Sequence, residues 1–131
     1  MNVTRLHSFQ MAIADKPGEM GRVLASLRAA GVSLVGTWGF STWGGQGEVF
    51  IVPEDAAAFL AAAAKAGLSA KETVCFHVVG ENRMGVVAEL LEKIGASGIN
   101  LAGADAVAVG DRFGMVLWSH EPDKLGAVLG I

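Results

Sequence analysis

Two short segments hold the residues best suited to chemistry. Asp15-Lys16-Pro17-Gly18-Glu19-Met20 and Asn82-Arg83-Met84-Gly85 each join a β-like stretch to a helical one, and each delivers a glycine to the helix start. Free backbone N–H groups and the positive end of the helix dipole meet at such a point and attract a carboxylate. Gly18 and Gly85 let a ligand approach the backbone closely. Lys16 or Arg83 could add charge on the carboxylate side. Asp15, the Asn82 amide and strand carbonyls could accept hydrogen bonds from an ammonium group. The set matches both ends of a free α-amino acid. A plainer reading of the same residues also stands, in which Asp15 and Asn82 cap their helices and Lys16 and Arg83 are solvated.

The two segments are parts of a repeat. Phe9 maps onto Phe76, Gly18 onto Gly85, Gly31 onto Gly98, Gly36 onto Gly103 and Gly47 onto Gly114, each 67 residues apart with no gap. A repeat of this length is a statement about architecture. Met20, Val23, Leu24 and Leu27 fall at i, i+3, i+4, i+7, as do Val87, Leu90, Leu91 and Ile94, so each copy has a helix with one apolar face. Gly31 and Gly98 suit the position just past each helix.

In the first copy the pattern predicts strands over 6–13, 32–40, 48–52 and 71–79, with helices over 17–30 and from Pro53 to Ala66. In the second it predicts a strand ending at Val79, a helix over 84–96, strands over 99–109 and 113–119, and a helix from Pro122. The expected fold class is α+β: two ferredoxin-like βαββαβ units, with antiparallel sheets and helices on one face, the second lacking its last strand. The units are expected at 1–72 and 73–131, with 71–79 a long strand shared by both.

Composition narrows the function. The chain has 131 residues, 52% of them apolar, and a net charge of −3. Its Lys and Arg are scattered, so no footprint for nucleic acid is visible, and neither 48–52 nor 113–117 has the basic aromatic character of an RNA-binding strand. No apolar run is long enough to span a membrane, and no secretory leader pattern is present. His7, His77 and His120 lie far apart and show no metal-ligand spacing with Cys75. The single cysteine excludes an internal disulfide and fits a cytoplasmic protein. Trp38 and Trp43 lie among glycines and suit packing across a sheet, a subunit interface or a ligand contact; Trp118 suits core or edge packing.

A strand, then Asp15-x-Pro17-Gly18-x-Met20, an amphipathic helix and Gly31-Val32-Ser33-Leu34 resembles an ACT domain. Asn82-Arg83-Met84-Gly85 with Gly98-Ile99-Asn100-Leu101 is similar to the same pattern, with Met84 where proline is expected. The resemblance implies a stand-alone tandem ACT protein, regulatory and not an enzyme, without cofactor or metal. It implies an amino acid held by the strand-1/helix-1 loops (Asp15, Lys16, Pro17, Gly18, Glu19 and Met20; Asn82, Arg83, Met84 and Gly85) at the interface between ACT units. It also implies a homodimer and allosteric signalling to a partner enzyme. Two other readings stay open. One is a ligand-free dimerisation module acting through a partner enzyme. The other is an acylphosphatase-like hydrolase, for which Asn82-Arg83 offers the residue types without a nucleophile–base pair.

Overall fold

A computed structural model describes Met1–Ile131. Its elements run β1 (Asn2–Ala14), α1 (Glu19–Ala29), β2 (Leu34–Trp43), β3 (Gln46–Pro53), α2 (Ala56–Ala66), β4 (Lys71–Glu81), α3 (Val86–Ala96), β5 (Leu101–Val109), β6 (Arg112–Ser119) and α4 (Pro122–Leu129). The fold class is the expected one, α+β with ferredoxin-like units. The chain forms two compact units, His7–Thr73 and Met1–Leu6 with Val74–Ile131.

The first unit, His7–Thr73, orders its strands β2-β3-β1 and then the start of β4. Phe9, Met11, Val49 and Ile51 alternate onto one sheet face and meet Val23 and Leu27 of α1 and Phe59, Ala62 and Ala63 of α2. Phe9 and Phe59 stack with centroids 4.1 Å apart. Each fully buried side chain of this size contributes roughly 1.5–3 kcal/mol over its exposed state. The alanines of α2 keep that helix close to the sheet. Asp55 caps it, accepting from the Ala57 and Ala58 N–H groups. Lys71–Thr73 lie along β1, where Glu72 pairs with His7 at 3.0 Å and the Ser8 hydroxyl donates to the Thr73 carbonyl.

The second unit repeats the plan with β4-β6-β5, α3 and α4. Phe76, Val78, Phe113, Met115 and Leu117 form its core face, covered by Val86, Leu90, Ile94 and Leu125. Cys75 is buried, as a small hydrophobe. No strand follows α4, as expected. The position is filled by the first residues of the chain. Asn2–Leu6 of β1 lie beside β4, with Met1 next to Gly80, Val3 packed on the core and the Arg5 guanidinium 5.8 Å from the Phe76 ring centroid. Met1 beside Gly80 and Arg5 beside Phe76 make the pair antiparallel. Arg5 also pairs with Asp123 at 3.0 Å. This division differs from a single cut at 72/73, because Met1–Leu6 complete the second unit rather than the first. The physical reason is that an open sheet edge gains by pairing, and Met1, Val3 and Arg5 alternate toward the second core.

The two repeat-related helices, α1 and α3, close in the same way. Beyond α1, the Gly31 N–H bonds to the Arg28 carbonyl and the Val32 N–H to that of Leu27; beyond α3, Gly98 bonds to Gly95 and Ile99 to Ile94. This pair of bonds requires the left-handed backbone that Gly31 and Gly98 adopt.

Candidate functional site

Glycine starts both loop-borne helices. Gly18 (φ 84°) and Gly85 (φ 80°) occupy the N-cap positions, and no side chain caps either helix. The helices therefore begin at Glu19 and Val86, after rather than at Pro17 and Met84. Asp15 and Asn82 stand too far back to cap them. They bond to the neighbouring hairpin instead, which overturns the capping reading. The Asp15 N–H donates to the Gly45 carbonyl and the Asn82 N–H to that of Asp111.

The side chains then part company. The Asp15 carboxylate accepts from the Ser41 hydroxyl at 2.5 Å, and that hydroxyl in turn lies 3.4 Å from the Trp43 N–H. The Asn82 amide donates to the Gly110 carbonyl. Lys16 is exposed and joins none of the ion pairs; Glu19 pairs with Arg22 at 3.0 Å. That hydrogen bond, with the nearby Arg22 and Lys16 charges, holds the Glu19 carboxyl below its ordinary range. Arg83 is instead gripped by Glu89 through two bonds of 2.8 and 2.5 Å, which raise the guanidinium pKa and lower that of the carboxyl. Pro17 is exposed at the loop apex, and Met84 in the corresponding place is 99% exposed.

Beneath the first loop lies an open cavity of about 250 Å³. Asp15, Lys16 and Gly18 form its rim, Met20 and Gly21 one wall, and Ile13, Gly39, Ser41, Gly47 and Val49 its floor. Phe40 and Glu48 also border it. They do so through main chain, because alternation along β2 and β3 sends their side chains to the other sheet face. Two glycines, Gly39 and Gly47, keep side chains out of that floor. A Cβ on Gly39 would sit 2.9 Å from the Met20 sulfur, and one on Gly47 3.2 Å from the Phe40 carbonyl oxygen.

The second loop has no such floor. Its depression is lined only by the consecutive residues Asn82–Ala88. Strand pairing gives the cause. In the first unit Ile13 faces Gly47, which faces Ser41; in the second Gly80 faces Phe113, which faces Ala108. Gly39 corresponds to Ala106 by the same pairing. The structural partner of Gly47 is thus Phe113, and not Gly114 as the uniform offset implies. The β2–β3 hairpin carries a register shift between Ser41 and Trp43 that β5–β6 lacks, so one extra residue slips the following strand by one. A slip of one moves every later side chain to the other face. Phe113 is 3% exposed, and its ring lies where a Cβ on Gly80 would be, at 2.8 Å.

Of the first-loop residues expected to hold a ligand, Asp15, Lys16, Gly18 and Met20 line this cavity, while Pro17 and Glu19 do not; Ile13, Gly39, Ser41, Gly47 and Val49, which complete it, were not foreseen. A polar Ser41 beside a glycine-rich hairpin was the available signal. The tryptophans divide. Trp38 stacks on Phe50 at 5.3 Å, Trp118 lies flat over Gly103, and Trp43 is 88% exposed at the hairpin tip with φ 68°. No group of three or more His, Cys, Asp or Glu side chains could hold a metal ion. No helix is long and apolar enough to cross a membrane.

The fold has solved counterparts. A protein from Bacteroides thetaiotaomicron superposes with a TM-score of 0.86 at 17% identity, over 98% of this chain and 89% of that one. The ligand-free regulatory subunit of aspartate kinase from Thermus thermophilus gives 0.68 at 18% identity, over 97% and 94%. The same subunit from Thermus flavus gives 0.61 at 14%, over 98% and 95%. No protein-family model and no curated protein sequence matches the chain. At these identities the likeness defines the fold.

Proposed function

We propose that this chain, whose fold is the tandem ACT fold of the aspartate kinase regulatory subunits, is itself a regulatory protein that binds a small free α-amino acid. The observation that carries the reading is the cavity under Asp15, where opposite chemistries meet within a volume suited to a small metabolite. The open N–H groups at the start of α1, with Lys16, receive the carboxylate. Asp15, oriented by Ser41, accepts the ammonium group. Ile13, Met20 and Val49 face a short side chain.

The chain acts without catalysis in this reading. Ligand ties the loop, α1 and the β2–β3 hairpin into one arrangement and shifts the population toward it, which a partner enzyme senses. A cytoplasmic homodimer fits the same role. β2 and β5 are edge strands and carry exposed Phe40, Val107 and Val109. The hydrolase alternative loses ground, since the Arg83 guanidinium it needs for a phosphoryl group is committed to Glu89.

A thermal-shift screen against the twenty amino acids tests the proposal. Ligand at 100 times its dissociation constant adds about 2.7 kcal/mol, a rise on the order of 5–10 °C for a domain of this size. The expected result is a rise with one or a few small amino acids that is clearly smaller in Asp15→Ala at the same ligand concentration. A screen flat throughout sinks the amino-acid reading and favours the ligand-free dimerisation module.

A further inference from the structure

We infer that the chain binds one ligand, not two, because the second copy's site is filled by its own Phe113. This rests on the reading of the Asp15 cavity as the ligand site, and adds to it a stoichiometry and the residues that set it. The two copies share what an anion needs: a glycine N-cap, an uncapped helix start and a cation two residues before that glycine. They differ in the floor. The strand pair that reads Ile13–Gly47 in the first unit reads Gly80–Phe113 in the second, so large and small residues exchange strands.

The exchange is not neutral in shape. Ile13 stands on the strand leading into the loop and leaves the hairpin side empty, with its Cγ1 3.5 Å from where a Gly47 Cβ would be. Phe113 stands on the hairpin side and lays its ring over Gly80. Ala106 adds a methyl group where Gly39 has none, and Ala108 lacks the hydroxyl by which Ser41 orients Asp15. Arg83, bound to Glu89, is withdrawn from a ligand as well. The one-residue bulge after Ser41 makes this difference, since it decides whether a glycine or the neighbouring large residue faces the helix. In the second unit Phe113 thereby stands where the first unit leaves a glycine floor.

Native mass spectrometry of the intact chain, with each of the twenty amino acids in turn, reads the stoichiometry directly. The expected result is a single saturating adduct per chain. A second adduct of comparable affinity overturns the inference while leaving the amino-acid reading intact; no adduct with any amino acid overturns both. Ile13→Gly with Gly47→Phe transplants the second copy's pair into the first. The adduct should vanish while the melting temperature and circular dichroism still report a folded protein; an adduct retained by the folded variant overturns the inference. Asp15→Ala keeps the test open if that double variant does not fold. Its Kd should rise about 10- to 150-fold, and an adduct formed with unchanged Kd places the ligand elsewhere and overturns the inference.

Discussion

The loop before α1 and the loop before α3 have the same backbone and equal exposure, and differ in the floor beneath them. Both place glycine at the N-cap with φ near +80°, leave the helix start uncapped and bond to the following hairpin. One opens onto a cavity and the other is backed by an aromatic ring. The loop motif is shared by the two copies, while residues on the directly paired strands differ and set whether a cavity lies beneath it.

The largest expected effects test whether the copies are equivalent in their cores. Leu27 and Ile94, each 1% exposed, face the same sheet position in their units. Leu27→Ala and Ile94→Ala should each cost about 2–5 kcal/mol in urea unfolding. A loss in only one would break the repeat as a structural statement. Next comes Asp15→Ala, which removes the charged acceptor of the proposed site and should weaken binding by about 1.5–3 kcal/mol, roughly 10- to 150-fold in Kd. Asn82→Ala should leave Kd unchanged in the same calorimetric titration. Equal losses at both positions would put ligand at both loops.

Smaller effects sharpen the comparison. Gly18→Ala and Gly85→Ala place a Cβ at positive φ and should each destabilise by about 1–2 kcal/mol, measured by thermal denaturation. Arg83→Ala should leave the melting temperature unmoved, because its partnership with Glu89 is exposed.

His77 offers a pH signature that the first copy lacks, Gln10 standing in its place. Burial holds the His77 pKa below its ordinary value, so the unfolded chain takes up the proton first as pH falls. Its contribution is intact above about pH 6.5 and lost progressively below it. His77→Gln should flatten that part of the stability profile.

Much of this was legible in the sequence. The helix faces, the glycines that end them and the two loops followed from 3.6-residue spacing and glycine position alone. The start of β1 did not, because Asn2–Leu6 has few apolar residues and its role as the second unit's fourth strand depends on an edge over seventy residues away. The equivalence of Gly47 with Phe113 was hidden for a different reason. A one-residue bulge leaves glycines aligned in the sequence while turning their side-chain directions to opposite faces. Ser41 as the partner of Asp15 was concealed by the same hairpin, whose glycines read as loop rather than strand.

An amide NMR titration of the intact chain, with the amino acid that gives the largest thermal shift, distinguishes the two loops residue by residue. Chemical-shift changes are expected at Gly18, Gly39, Ser41 and Gly47, with Gly85, Ala106, Ala108 and Phe113 still. Changes centred on Gly85 and Ala108, or of equal size in both sets, would contradict binding at the first loop alone.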